Sequence, residues 1–343
     1  MPIIGETCGP YELGRRLGEG GFGAVYEATH QETGQRVALK FLHGTKEMEP
    51  EVQNRFVREV ALLQKLNHEN IVRHFEAGLH EGSIYCAMEL VECGTLKDVL
   101  KARGKLPWRE AAEVALQLCR ALEHAHAKGC IHRDLKPGNL YLSEDGLMKL
   151  GDLGLARDLN RARLTTQGQT VGTWRYMAPE QITGEANIDG RLDLYATGCM
   201  LFEMIAGRVP FDGPNFYTIF DQHLESTPPR LDVATGDCPR ALADLVDHLL
   251  QKKPDHRPKD AAEVAERLEQ ILTADQVENR STAKGSDSGV LASVDRKNRP
   301  NLTQRLRSGP TVGPRQANWK ALAIGLGVLT AVILLVFALK GGN

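Results

Sequence analysis

Two sequence patterns in a fixed order constrain the fold of this 343-residue chain more than any other feature. Short β-rich segments separated by turn residues come first, at 11–17, 23–29, 36–42 and 83–90, with one helical pattern at 52–66. Apolar residues at helical spacing dominate after Leu96, and they predict helices at 107–128, 193–206, 241–251 and 261–272. A small β-rich part followed by a larger helical part predicts an α+β fold with two lobes.

Charge and cysteine content exclude several classes of function. The net charge is −2, which gives no reason to expect a nucleic acid as the main partner. The seven cysteines are scattered and form no C-x-x-C pair, so neither a zinc site nor a disulfide framework is predicted. Reduced and mostly buried thiols in the cytosol are the simpler interpretation.

Composition divides the chain into a folded region, a linker and an apolar tail. Residues 11–272 have the mixed composition of a globular domain, with lobes predicted at about 11–90 and 91–272. Residues 273–318 are rich in Ser, Gly, Asn, Arg and Pro. Such a segment buries too little apolar surface to offset its ordering entropy, which predicts a flexible linker.

The last part of the chain has the properties of a membrane-spanning helix. The run 321–339 contains nineteen residues without a charge, and Trp319 and Lys340 flank it as interface anchors would. A helix of that length spans roughly 28 Å, close to the thickness of the hydrocarbon core of a bilayer. We therefore predict a transmembrane helix at 319–340 and a short tail at 341–343. A buried helix of a soluble core is the alternative, but such a helix normally shows a polar face.

The cations around this run predict its orientation. Arg305, Arg307, Arg315 and Lys320 precede it, whereas Lys340 follows it. By the positive-inside rule the preceding residues stay in the cytoplasm, which predicts a single-pass membrane protein with a cytoplasmic folded region. Small residues at four-residue spacing inside the run allow two such helices to approach closely. A monomer and a homodimer both remain open.

A glycine-rich segment lies between the first two predicted strands. It follows the pattern G-x-G-x-x-G and comprises Leu17, Gly18, Glu19, Gly20, Gly21, Phe22, Gly23 and, two positions later, Val25. Glycines let the backbone approach phosphate oxygens because no Cβ intervenes. A dinucleotide-binding fingerprint uses similar glycines but continues into a helix. Residues 24–28 have strand character instead, which favours a β-hairpin flap.

A lysine stands inside the apolar segment that follows this hairpin. Lys40 closes the sequence V-A-L-K, where a charged residue is unusual. A strand lysine that snorkels to solvent is the structural interpretation. Its position after the glycine-rich segment favours a cation that holds phosphates.

The most informative segment runs from Ile131 to Asn139 and reads I-H-R-D-L-K-P-G-N. It places Asp134, Lys136 and Asn139 at fixed offsets in one loop. Transfer of a phosphoryl group from ATP requires a carboxylate near the attacking hydroxyl, a cation on the moving group and an oxygen ligand for magnesium. The loop supplies one residue of each type.

Two more motifs follow in order, D-L-G at 152–154 and A-P-E at 178–180. With them the chain resembles a protein Ser/Thr kinase, in particular the bacterial kinases of eukaryotic type, many of which are single-pass membrane proteins. The resemblance covers about 11–272. It implies a two-lobed kinase fold, ATP and Mg²⁺ as cofactors, and proteins as substrates.

The resemblance assigns a role to each residue of the predicted site. It implies that Asp134 is the catalytic base and that Lys136 stabilises charge on the γ-phosphoryl group; a lysine there favours Ser and Thr as acceptors. Asn139 and Asp152 are the implied magnesium ligands. The implied ATP-binding residues outside the glycine-rich segment are Lys40 with its partner Glu59, then Ala38, Glu89, Val91 and Tyr141.

The segment between the last two motifs carries the candidate regulatory sites. Within 155–177, the resemblance leaves Thr165, Thr166 and Thr170 as candidate phosphorylation sites. Phosphothreonine forms charge-assisted hydrogen bonds with arginines, and Arg133 is one candidate partner. Solvated loop arginines are the alternative.

Two matches to the family are structural. Asp193 resembles the residue at a helix start whose carboxylate bonds the backbone of the catalytic loop. Arg257 resembles the partner of Glu180 in a buried ion pair.

The complete set of motifs predicts a membrane-anchored Ser/Thr protein kinase regulated by autophosphorylation. A catalytically silent scaffold is the first alternative, although Lys40, Asp134, Asn139 and Asp152 are all present. A small-molecule phosphotransferase is the second. The segment that ends at A-P-E argues against it, because that segment shapes a platform for a peptide.

Overall fold

The computed structural model describes residues 4–20, 23–42, 45, 51, 63–153, 174–186, 188–283 and 300–309. Its first part is an antiparallel sheet in the order β1-β2-β3-β4-β6-β5. The strands are β1 (Thr7–Cys8), β2 (Tyr11–Gly20), β3 (Gly23–His30), β4 (Arg36–Leu42), β5 (His74–His80) and β6 (Ser83–Glu89). The predicted strands at 11–17, 23–29, 36–42 and 83–90 are thus confirmed within a few residues.

Strand β4 shows how the sheet separates a core from a cleft. Successive side chains of a strand point to opposite faces. Val37, Leu39 and Phe41 pack in a small apolar cluster on one face, together with residues of β2, β3 and β6. Ala38 belongs to the main core on the other face, and Lys40 shares that face by register. The lysine therefore enters the space between the sheet and the helices.

The second part of the structure is helical, as the sequence predicts. Its helices are α1 (Leu96–Arg103), α2 (Trp108–Ala127), α3 (Pro179–Thr183), α4 (Arg191–Ala206), α5 (Phe216–Glu225), α6 (Leu231–Thr235), α7 (Arg240–Leu249), α8 (Ala261–Ala283) and α9 (Leu302–Ser308). A hairpin of two short strands, β7 (Leu140–Leu142) and β8 (Met148–Leu150), lies between α2 and α3. This order gives the α+β, two-lobed arrangement.

Helices α2 and α4 form the centre of the larger lobe. Pro107 directly precedes α2. Proline has no backbone N–H, but at the start of a helix this group would have no partner within the helix, so no hydrogen bond is lost. Almost every residue of α4 is buried, and Gly207 ends that helix in the left-handed conformation at φ 70°. The main core contains residues from α1, α2, α4, α7, α8 and the β7–β8 hairpin. These helices form a rigid base under the loop 131–139.

The predicted linker at 273–318 needs correction in two places. Helix α8 continues from Ala261 to Ala283, beyond the predicted end at 272. Residues 302–308 form α9, in which Leu302 and Leu306 are buried in the main core. Composition missed this helix because two leucines suffice to bury a segment of seven residues.

Some predictions fall on residues that the structure does not describe. The helix at 52–66 lies mostly outside the described residues, as does the whole apolar run 321–339. In the part of the chain that is described, no helix has the length and apolar character needed to cross a membrane.

Candidate active site

Hydrogen bonds to the start of α4 hold the loop 131–139 in place. The Asp193 carboxylate, fully buried at the start of α4, accepts bonds from the backbone N–H groups of His132 and Arg133, both at 2.9 Å. His126 of α2 contacts the same carboxylate at 2.8 Å. The prediction that Asp193 bonds the loop backbone is therefore confirmed. The position of the loop is set by the start of one buried helix.

His132 connects the loop to the segment that carries Asp152. Its Nδ1 accepts a bond from the backbone N–H of Asp134 at 3.2 Å, and its Nε2 lies 2.9 Å from the carbonyl oxygen of Gly151. A carbonyl can only accept, so these two contacts assign the neutral tautomer with its proton on Nε2. His132 is fully buried and serves a structural role.

Asp134, Lys136 and Asn139 are brought together by the loop. The Lys136 ammonium donates to the Asp134 carboxylate at 2.7 Å. The Asn139 amide nitrogen donates to the Asp134 carbonyl oxygen at 2.8 Å, which leaves the amide oxygen of Asn139 available as a ligand. Asp134 is 8% exposed, so little of it contacts solvent.

Asp152 faces this group from the end of the β7–β8 hairpin. Its carboxylate receives a bond from the Lys40 ammonium at 2.5 Å, so the ion pair joins the sheet to the larger lobe. Burial raises the pKa of the Asp152 carboxyl, but the attraction and hydrogen bond of Lys40 outweigh burial and lower the pKa below its usual value. Asp152 is therefore an anionic oxygen donor at neutral pH.

One chain of backbone bonds links the two groups. The Gly151 N–H donates to the carbonyl of Asn139 at 2.9 Å. The carbonyl of Gly151 is the group that His132 contacts. Asp152 itself has φ 56°, a left-handed conformation that costs a residue with a side chain about 1–2 kcal/mol. The strain aims this carboxylate toward Lys40.

The donor set of Asn139 and Asp152 fits magnesium. Both residues offer oxygen ligands, which a small hard cation prefers. Asn139 is 4% exposed and held by its bond to the Asp134 carbonyl, so its oxygen is preorganised. The backbone bond from Gly151 to Asn139 places the two predicted metal ligands next to each other in the fold.

The described residues on either side of Gly21 and Phe22 pair as an antiparallel hairpin, as predicted. Gly18 pairs with Val25, Glu19 with Ala24 and Gly20 with Gly23 across β2 and β3. A Cβ on Gly23 would overlap the carbonyl oxygen of Phe41, so the close approach of β4 requires glycine there. The strand that follows excludes the dinucleotide-binding alternative, which requires a helix.

Several of the predicted ATP-binding residues lie at the junction of the two lobes. Val25 and Tyr141 pack against the same apolar cluster that contains Ala38 and Met88. The Glu89 N–H already donates to the Arg73 carbonyl at 2.8 Å. Within the described residues the backbone of Val91 makes no hydrogen bond, so it remains free for a ligand.

The side chain of Tyr141 packs against the backbone at residue 151. A Cβ on Gly151 would lie 2.5 Å from the Tyr141 ring, so glycine at 151 makes room for the aromatic side chain. The Asp152 carboxylate, followed by burial, raises the pKa of the Tyr141 phenol. Leu153, the middle residue of the D-L-G motif, is fully buried in the main core.

The buried ion pair predicted below the site is confirmed. The Arg257 guanidinium donates two bonds to the Glu180 carboxylate, at 2.7 and 2.8 Å, and neither side chain is more than 4% exposed. Gln181, next in sequence, donates to the carbonyl of Arg133 at 2.9 Å. This link between the A-P-E segment and the catalytic loop had no recognisable sequence signal.

Several predicted site residues lie outside the described residues. They are Gly21, Phe22, Glu59, Thr165, Thr166 and Thr170. The predicted pairing of Lys40 with Glu59 therefore stays a prediction, and Asp152 is the partner that the structure gives Lys40.

The chain belongs to the protein kinase family. The model of the protein kinase domain matches residues 11–271, the range that contains every group of the cleft. The chain is 35% identical over 272 residues to a probable serine/threonine-protein kinase of Clostridium perfringens, which covers 78% of this chain and 39% of that protein. It is 34% identical over 262 residues to the serine/threonine-protein kinase PknH of Mycobacterium bovis, over 76% of this chain and 44% of PknH.

A further relative matches the chain along its whole length. The serine/threonine-protein kinase PknA of Mycobacterium tuberculosis is 32% identical over 368 aligned positions, covering 100% of this chain and 84% of PknA. The other two relatives are longer, and the chain spans about two fifths of their length.

Proposed function

We propose that this chain is a protein Ser/Thr kinase that transfers the γ-phosphoryl group of Mg-ATP to Ser and Thr hydroxyls of proteins. The observation that carries the proposal is the continuous cluster from Lys40 through Asp152 and Asn139 to Asp134 and Lys136. It joins a cation for phosphates, two oxygen ligands and a carboxylate base in one cleft.

The residues divide the reaction between the two lobes. Lys40 exchanges its bond to Asp152 for the phosphates of bound ATP. Asp134 orients the acceptor hydroxyl and accepts its proton as the acceptor oxygen attacks the γ-phosphorus in line. The bond from that phosphorus to the bridging oxygen breaks and ADP leaves, while Lys136 stabilises the negative charge of the moving group. Asn139 and Asp152 would hold magnesium, which would supply positive charge to the phosphates.

Transfer of radiolabelled phosphate to a generic Ser/Thr protein substrate tests the proposal. The Asp134→Asn variant should lose at least 10²-fold in rate because it removes the base. Asp237→Asn is the matched control, since Asp237 is exposed and the substitution changes charge equally. Equal rates for wild type and Asp134→Asn would refute the kinase mechanism and favour a silent scaffold.

A parallel panel of acceptors separates proteins from small molecules. Amino alcohols and aminoglycosides should accept no phosphate above background, because the A-P-E segment and Gln181 support a platform for a peptide. Transfer to these compounds at a higher rate than to protein would favour a small-molecule phosphotransferase.

We also propose regulation by autophosphorylation. Thr165, Thr166 and Thr170 are the candidate acceptors because they precede the A-P-E segment. Incubation with Mg-ATP followed by peptide mass analysis should place phosphate on at least one of them in wild type and on none in Asp134→Asn. Phosphate found elsewhere alone would contradict this regulation.

The proposed location is the membrane, with the kinase domain in the cytoplasm. The uncharged run 321–339 and the preceding Arg305, Arg307, Arg315 and Lys320 support a single span in this orientation. Four-residue spacing of small residues in the run supports a homodimer as the assembly to test. No feature of the charge distribution supports a nucleic-acid partner.

A further inference from the structure

A segment beyond the kinase match occupies a groove on the larger lobe. Residues 300–309, here named the docked segment, contain α9 and lie against α1, α2 and the turn between β7 and β8. Leu302 is 5% exposed and Leu306 is 1% exposed, and both join the main core. The family match ends at residue 271, so it does not include this contact.

A buried arginine of the groove binds backbone carbonyls of the docked segment. Arg103, at the end of α1, is 3% exposed and pairs with Glu110 at 2.8 Å. The same guanidinium nitrogen reaches the carbonyl oxygens of Arg305 at 3.2 Å and Leu306 at 3.4 Å. Both carbonyls lie in the last turn of α9; that of Arg305 also accepts a bond from the Gly309 N–H at 3.0 Å, whereas a carbonyl in the last turn otherwise lacks a partner within the helix. One guanidinium nitrogen of Arg103 therefore binds the backbone of the docked segment.

Charge also matches the segment to the groove. Arg305 forms an ion pair with Glu113 of α2, one helical turn after Glu110. The opposite side of α9 presents Gln304 and Arg307 to solvent. An apolar stripe of two leucines with a flanking arginine therefore meets an apolar groove rimmed by two glutamates.

The N-terminal end of α9 reaches the hairpin that supports the metal ligands. Asn301 caps the helix through Gln304, and its amide nitrogen donates to the carbonyl of Glu144 at 2.8 Å. Glu144 lies in the turn between β7 and β8. Asn139 directly precedes β7, and Asp152 lies two residues after β8. The docked segment therefore holds the far end of the hairpin whose near end carries both oxygen donors.

We propose that the docked segment is a built-in part of the catalytic unit, bound in cis to the groove of Arg103, Glu110 and Glu113, and that it positions the β7–β8 hairpin. Docking gives the buried Arg103 guanidinium two carbonyl acceptors and braces the turn at Glu144. Undocking loosens the hairpin and weakens magnesium-dependent transfer. The second effect rests on the proposed kinase function, whereas the first does not.

Hydrogen exchange of the full chain in detergent tests the docking without ATP. Leu306→Asp places a charge in the core and should speed amide exchange in α1 and in residues 143–147 by about tenfold or more. Arg307→Gln is the control, because it changes net charge equally at an exposed position. Gly309→Val provides a second undocking variant, since a Cβ there would overlap the Arg103 guanidinium.

The outcomes separate the proposal from its rivals. Exchange that is equal in Leu306→Asp, Gly309→Val and Arg307→Gln would overturn it. Wild-type chains can also be added to the Leu306→Asp variant. If its amide exchange then slows in proportion to their concentration, the groove binds a second copy, and binding in cis is overturned. The expected result is faster exchange in the two undocking variants at every protein concentration.

Kinetics then test the positioning role. Leu306→Asp should raise the magnesium concentration needed for half-maximal transfer, whereas Arg307→Gln should follow wild type. An unchanged magnesium dependence together with faster exchange would refute positioning of the hairpin. Absence of transfer in every variant, wild type included, would refute the proposed kinase function while the exchange result still decides the docking.

Discussion

Replacement of the buried His74 should remove a defined part of the acid sensitivity of folding. His74 lies in β5, is 3% exposed, and neither ring nitrogen has a hydrogen-bond partner among the described residues. Burial lowers the pKa of its imidazole from 6.5 to about 4; the Asp152 carboxylate opposes this shift and the Lys40 ammonium adds to it. The folded protein therefore keeps this histidine neutral.

The sign and size of the effect follow from proton binding. Between a pKa of 6.5 in the unfolded chain and about 4 in the folded chain, the unfolded chain binds more protons. The free energy of unfolding therefore rises with pH in this window: the contribution is fully present above the unfolded pKa and is lost as pH falls toward the folded pKa. At about 1.4 kcal/mol for each pH unit the whole window corresponds to about 3 kcal/mol, of which about 1 kcal/mol is lost by about pH 5.5.

Urea unfolding at about pH 7.5 and about pH 5.5 measures this contribution. In a chain that ends at Asn318, His74→Leu and His74→Asn should each lose about 1 kcal/mol less than wild type on acidification, because neither side chain titrates. His74→Leu should also be the more stable variant at neutral pH, since it leaves no unpaired polar atom in the core. An equal loss in wild type and both variants would refute the assignment to His74.

Three more predictions concern other parts of the molecule. Arg257→Met leaves the Glu180 carboxylate buried and unpaired and should cost about 3–5 kcal/mol of unfolding free energy in urea; a cost near zero would contradict the pair's role. Gly151→Ala should cost about 1–3 kcal/mol and raise the KM for ATP, because its Cβ meets Tyr141; wild-type kinetics would contradict this. Deletion of 319–343 should move the protein from the membrane pellet to the supernatant; continued sedimentation with membranes would contradict the anchor.

The catalytic loop could be predicted from sequence because its chemistry is local. Asp134, Lys136 and Asn139 lie within six residues, so their types and spacing can be recognised without knowledge of the surrounding fold. The hairpin around Gly18 and Gly23 was equally accessible, since strand character continues after the glycines. Period and spacing carry this information without tertiary contacts.

The features that sequence missed depend on contacts between distant segments. His74 begins a strand that reads as polar, and nothing nearby in sequence shows that its imidazole is enclosed. The docked segment follows a stretch of low-complexity character, and its burial depends on Arg103, about 200 residues earlier. The direct bond between Lys40 and Asp152 spans 112 residues. Propensity and composition do not encode such pairings.

The anchoring of the catalytic loop by Asp193 has a consequence for turnover. One carboxylate inside the helical lobe fixes two consecutive amides, and no strand of the sheet takes part in those bonds. In the proposed kinase, a tilt of the sheet would release nucleotide without breaking these two bonds to the loop that positions the acceptor. Opening should change the separation of Lys40 from Asp134 and leave that of Asp134 from Lys136 as it is.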